Sequence, residues 1–232
     1  METGSIAQLQ AVTAQPVNKR PPLREHWFAN LDLTGADLRG IDFSAAHFQN
    51  VVLDQANLEG AILHNTYLDD CSLADADLRD ADLRTASLRR ANLSHSDISG
   101  ANLYGAVLER ADLTGIVSSP ATKWFRLHCP ATGPFVAFKK CFNDRIVQLL
   151  VPADALRTSA TRPSCRCNKA KVLKITNFAQ TEEYDESWSL VDENFVYRKG
   201  HWVTVANFNA DRWYDSTTGI HFWLTREEAM AY

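Results

Sequence analysis

The sequence predicts a mainly β chain in two parts. A coil of five-residue units spans residues 26–117, and a β-rich α+β domain spans 120–232. Residues 1–25 read as a mobile arm. Three observations carry this. An apolar residue recurs every fifth position from Leu33 to Leu113. The period stops near Gly115, and Ser118-Ser119-Pro120 marks a boundary. Beyond it, short runs of β-branched and aromatic residues replace the repeat.

The inward positions are Leu33, Leu38, Phe43, Phe48, Leu53, Leu58, Leu63, Leu68, Leu73, Leu78, Leu83, Leu88, Leu93, Ile98, Leu103, Leu108 and Leu113. Two residues before each stands a small or apolar partner, Ala in eleven of the seventeen units. On an α-helix, five residues rotate by about 500°, which would spread the leucines round every side. On a flat strand, an odd period sends successive leucines to opposite faces. A chain that turns by about 90° in each unit closes a square coil of twenty residues and points every leucine inward. Such coils stack at strand spacing, about 4.8 Å. Seventeen units make just over four coils.

The AxLxx units, with Asp or Asn before Leu at Asp37, Asn57, Asp77, Asp82, Asn92, Asn102 and Asp112, resemble the pentapeptide-repeat family. The resemblance covers about residues 26–115. It implies a right-handed quadrilateral β-helix, a solenoid of about four coils. Some members of that family protect DNA gyrase by resembling duplex DNA in shape and charge.

The ends and lapses of the repeat have their own readings. Ile6 to Val12 suggests a short helical turn inside the polar arm. Trp27, Phe28, Leu31, Ile41, Phe43 and Phe48 thicken the first coils and are expected to cap them, since a solenoid end must be covered. At Thr66, Tyr67 and Cys71 the alanine pattern fails, and a wider coil or an altered face is expected there. Asp before Leu suits hydrogen bonding to turn backbone.

In the second half, WFRLHC, PFVAFKKC, IVQLLV, AKVLKI, FVYRK and HWVTVANF read as strands. ATG at 131–133 and RKGH at 198–201 read as turns, and 177–194 as an acidic loop. GIHFWL reads as a buried strand, and Thr225 to Glu228 as a capping box opening a last helix. LHCPATG, FKKC, IVQLLVPADALR, CRCNKAKVLKI and TGIHFWLTREEA resemble an uncharacterised domain that follows pentapeptide repeats in bacterial and phage proteins. No activity comes with that resemblance.

Charge bounds the function. Residues 31–115 carry fourteen acids against six arginines, and residues 116–232 fifteen bases against twelve acids. The coil is acidic enough to keep gyrase as an alternative partner, but Arg79, Arg84, Arg89 and Arg90 interrupt it. Direct nucleic-acid binding is not expected, because the basic stretch 157–174 lacks aromatic interleaving. There is no run of eighteen apolar residues and no basic-then-apolar leader, so neither membrane nor export is expected. Five cysteines in no framework spacing suit a reducing cytoplasm.

Catalytic motifs are absent, and no cofactor or metal is expected. Cys165 and Cys167 are one residue apart, a poor zinc knuckle, and Cys129 and Cys141 would have to converge on them. The candidate binding residues are Arg166, Asp215, Ser216 and His221, which could line a polar cleft in the second domain. The function expected is that of a non-enzymatic interaction protein, the coil a rigid docking scaffold and the second domain recognising a protein partner or polar ligand. A homodimer is possible through exposed coil ends. An enzyme housed in 120–232 is the second alternative.

Overall fold

The structure is a computed structural model and describes residues 2–192 and 194–232. The chain divides into two compact units, residues 1–126 and 127–232.

In the first unit, β1 (Glu2–Thr3), β2 (His26–Ala29) and β3 (His47–Gln49) pair in parallel in that order. From there each unit contributes a single bridging residue. Asp77 pairs with both Asn57 and Asp97, and the same twenty-residue step runs from Asp32 to Val117. Every corner is a four-residue turn. At one of them the Leu78 carbonyl accepts from Ala81 N–H (3.2 Å), and Asp80 between them takes φ +56°. A positive φ at the third turn position marks type II geometry. This explains the otherwise variable fifth residue of each unit. It is Gly at 35, 40, 60, 100, 105 and 115, but Thr85 and Arg90 accept the same left-handed backbone.

The inward leucines are buried as their period requires, with Leu68, Leu73, Leu78, Leu83 and Leu88 all at 0% exposure. Each such side chain contributes about 1.5–3 kcal/mol by leaving water. Leu113 departs from the expectation and is only partly buried. The bridge ladder ends with Asp97 on Val117 and Asn102 on Lys123, so no further coil stacks on Leu113. The same pairing to Lys123 carries the first unit past residue 117, where the sequence places its end.

The arm is not free. Helix α1 (Ile6–Thr13), capped by Ser5, buries Leu9 and Val12, and Leu23 is buried behind it. Gly4 N–H donates to the Trp27 carbonyl (2.9 Å), and a Cβ at Gly4 would lie 2.0 Å from the Phe28 ring. The Arg20 side chain, 2% exposed, donates to Asp37 at 2.9 Å. Residues 2–23 therefore cover the first coil. Phe28, Phe43 and Phe48 pack beneath as buried rings, while Trp27 faces outward and stacks on His47 (5.3 Å). The lapse at 66–71 is an altered face. Thr66 Oγ1 and Cys71 Sγ turn inward to donate to the Phe43 and Phe48 carbonyls, and Tyr67 stacks on His47 outside.

In the second unit, β4 (Phe135–Cys141), β5 (Arg145–Val151), β8 (Lys169–Asn177) and β11 (Trp202–Thr204) form an antiparallel sheet in the order β11-β8-β5-β4. A second sheet orders β12 (Ile220–Phe222), β7 (Cys165–Cys167) and β6 (Arg157–Ser159). β9 (Glu186–Trp188), inside the stretch expected to be all loop, makes a hairpin with β10 (Val196–Arg198), where FVYRK is expected to be a strand. Residues 124–129 form no strand. Helix α2 (Arg226–Ala231) has the expected capping box. Phe138 and Trp223 exchange both backbone hydrogen bonds (2.8 Å each), which brings β12 to the free edge of β4. That junction positions the site. Among the described residues, no helix is long and apolar enough to cross a membrane.

Candidate functional site

Strand β4 alternates. Ala137, Lys139 and Cys141 point into the core, while Val136, Phe138 and Lys140 face the other way. Parity alone therefore drives a lysine inward, and Lys139 is 7% exposed. It has no hydrogen bond or ion pair to any other described residue. Its Nζ lies 6.0 Å from the centroid of the Tyr197 ring, at the outer limit of a cation–π contact. Burial pulls its pKa below the usual lysine value, with Cys141 and Cys167 opposing.

Lys139 lines a cavity of about 760 Å³, within the range of small-molecule sites. β10 supplies Tyr197, β12 supplies His221, and the segment before β12 supplies Ser216, Thr217 and Thr218. Trp223 and Phe195 add ring surface. The His221 ring holds the Thr217 carbonyl through Nε2 (2.9 Å). Burial lowers its pKa, with Lys139 and Arg166 acting the same way and Asp215 opposing, so the imidazole is neutral at pH 7. Desolvation likewise raises the Tyr197 phenol, keeping it a donor.

The four residues singled out by sequence separate. Ser216 and His221 line the cavity, and Arg166 and Asp215 do not. Arg166 is 3% exposed and donates to four carbonyls, of Asn209, Asp211, Tyr214 and Thr218, at 2.6–3.0 Å. It clamps the loop that carries the cavity wall. Asp215 faces Ser164 (3.3 Å) and Arg162 (4.0 Å). The site therefore takes two of its expected residues and gains Lys139 and Tyr197, which sequence reasoning missed. The inward parity of Lys139, between Ala137 and Cys141, is the signal that could have found it.

Cys129, Cys141, Cys165 and Cys167 converge in one apolar core. The Cys165 thiol donates to the Pro163 carbonyl (3.5 Å), and its neighbourhood with Cys129 pulls the Cys129 thiol down and pushes Cys165 up. Burial raises Cys141 and Cys167 to about 11 and about 12. Among the described residues, no group of three or more His, Cys, Asp or Glu could hold a metal ion.

On the coil, many of the carboxylates are occupied. Asp37, Asp77, Asp82, Asp97 and Asp112 each accept from the backbone N–H two residues on, as turn-capping residues do. Arg39, Arg79, Arg84 and Arg90 then cover Asp37, Asp77, Asp82 and Asp70 at 2.6–2.8 Å. Glu59 reaches Arg79 at 3.7 Å, one rung of an ion-pair ladder at the coil spacing.

Comparison with known proteins agrees with this division. The pentapeptide-repeat model matches residues 28–65, 66–103 and 76–115. A family of unknown function (DUF5758) matches residues 125–229. No curated protein matches the chain. Among solved structures, HetL, a pentapeptide repeat protein involved in heterocyst differentiation regulation from the cyanobacterium Nostoc sp. strain PCC 7120, is 30% identical. That match covers 46% of this chain and 44% of HetL, with a TM-score of 0.34, so the chain spans less than half of HetL. A pentapeptide repeat protein from the Arabidopsis thaliana thylakoid lumen is 30% identical over 43% of this chain and 69% of its own, with a TM-score of 0.38. QnrB1, a plasmid-mediated fluoroquinolone resistance protein, is 16% identical over 45% of this chain and 70% of its own, with a TM-score of 0.20. The chain belongs to the pentapeptide-repeat family through residues 28–115 and carries a DUF5758 domain behind the repeats.

Proposed function

We propose that this chain is a non-enzymatic recognition protein in the cytoplasm. The coil, in the right-handed four-cornered form of its family, serves as a rigid scaffold and docking surface. The second unit recognises a small polar ligand in its cavity. The observation that carries this reading is the cavity itself: about 760 Å³, ring-lined, with Lys139, Tyr197, His221 and the 216–218 hydroxyls around it. Among the described residues, neither Cys129 nor His221 shows a hydrogen bond to the base or carboxylate that a nucleophile or general base uses. His221 spends Nε2 on the Thr217 carbonyl, and Cys129 lies in the core with Cys165.

The gyrase reading finds less support. A mimic of DNA needs open carboxylates, and here arginines cover Asp37, Asp70, Asp77 and Asp82.

Native mass spectrometry of the full chain after exposure to a small-molecule extract tests the reading. A bound small molecule, lost in the cavity-filling variant Thr218→Trp, is the expected outcome. A spectrum with no adduct at any extract concentration contradicts it.

A further inference from the structure

Among the described residues, the cavity wall contains a charge with no counter-charge. Lys139 is buried, touches the cavity, and makes no hydrogen bond or ion pair with another described residue. A buried ammonium without a partner costs several kcal/mol, and proteins generally pair it or shed its proton. The charged and titratable groups around it do not fill the role. Cys141 and Cys167 are thiols held protonated by burial, and Tyr197 is a phenol held protonated the same way. His221 is neutral at pH 7. Asp192 lines the same cavity, but its carboxylate accepts from Asn194 N–H at 3.0 Å and forms no ion pair with Lys139.

The remaining wall says what else the occupant needs. Phe195, Tyr197 and Trp223 offer ring and edge surface. Leu190 and Val191, at 42% and 82% exposure, stand on the segment that closes one side. An apolar body would cover ring surface that is otherwise hydrated, and the hydroxyls of Ser216 and Thr217 line the same cavity and can donate to an acidic head, whereas Thr218 spends its proton on the Asn207 carbonyl.

We propose that the cavity binds a small organic monoanion, a carboxylate on an aromatic or apolar body, whose head group is the missing counter-ion of Lys139. This rests on the reading of the cavity as a ligand site. A monoanion is favoured over a phosphate dianion because a single ammonium faces the space, and Asp192 lines it too.

The test uses the full chain with three probes of similar shape at up to 50 mM: benzoate, phenyl phosphate and neutral benzamide. Benzoate is expected to raise the melting temperature and to bind by calorimetry at least tenfold more tightly than benzamide. Phenyl phosphate is expected to bind more weakly than benzoate. As pH rises towards about 10.4, benzoate binding should take up protons, read as a dependence of the binding enthalpy on buffer ionisation, because the anion restores the proton to a lysine whose pKa burial has lowered. Lys139→Met should abolish benzoate binding and the proton uptake while still melting cooperatively, and Lys139→Arg should restore part of the affinity. Equal binding of benzoate and benzamide, or benzoate binding unchanged in Lys139→Met, overturns the proposal while leaving the cavity a ligand site. Tighter binding of phenyl phosphate overturns the carboxylate assignment. No binding of any probe overturns the proposal, and an adduct in the native spectrum would then still stand for the cavity.

Discussion

The two units treat buried polarity in opposite ways. In the coil, groups that turn inward are answered one coil away. Thr66 donates to the Phe43 carbonyl and Cys71 to the Phe48 carbonyl. In the second unit, Arg166 is answered by four carbonyls, yet Lys139 makes no hydrogen bond or ion pair with another described residue. A repeat that packs its inward side chains against their own copies twenty residues on leaves no interior room for a ligand. An irregular sheet pair with a loop for a wall does. The proposed function, with a rigid first unit and recognition in the second, rests on that difference.

Four changes would break or sharpen that contrast. The largest effect belongs to the coil core. Leu78→Ala leaves a void no neighbour can fill and should cost about 2–5 kcal/mol, read as a lower urea midpoint. Next is the lid over the first coil. Asp37 is held below the usual carboxylate range first by Arg39 and then by Arg20. Its contribution is present above about pH 4 and fades as acid protonates it. Asp37→Asn should cost about 1 kcal/mol at pH 7, discounted for its exposure. The same variant should show a flatter acid limb in a pH series of melting temperatures.

Lys139 works in the other direction. Its pKa is lowered in the folded chain, so the unfolded chain binds more protons and stability rises with pH towards about 10.4. Lys139→Met should therefore stabilise by about 1–2 kcal/mol at neutral pH, with the gain shrinking above pH 10. An equal gain at every pH would mean that packing, not charge, is responsible. The smallest effect belongs to the coil surface. Arg84→Ala should leave the urea midpoint unchanged within error and leave gyrase supercoiling assays unchanged, since Arg84 is half exposed and its ion pair is screened.

The two units also differ in how much of them the sequence disclosed. A period of five, with Ala two before Leu, admits only a turning coil, and the asparagines and aspartates before many of the leucines point to the turn they cap. The arm was harder. Leu9, Val12 and Leu23 are spaced too widely to announce a lid, and only the proximity of Phe28 and Asp37 gives them something to cover. In the second unit, strands rich in β-branched residues were visible, but β6, β7 and β9 are three residues each and rest on pairing rather than propensity. The site was half legible. Ser216 and His221 reach the cavity. Arg166 and Asp215, close in composition to site residues, serve the loop because nearby carbonyls and hydroxyls claim them. Lys139 was hidden among surface-like lysines, and only the pleat of β4 turns it inward.

The measurement that bears most directly on this account is the titration of the Lys139 side chain by NMR, following Cε as pH rises in the ligand-free full chain. A buried, unpartnered ammonium titrates clearly below about 10.4, and benzoate moves that midpoint upward. A midpoint at or above 10.4 without ligand would mean that Lys139 already has a counter-charge or open water, and the account of the cavity would fail.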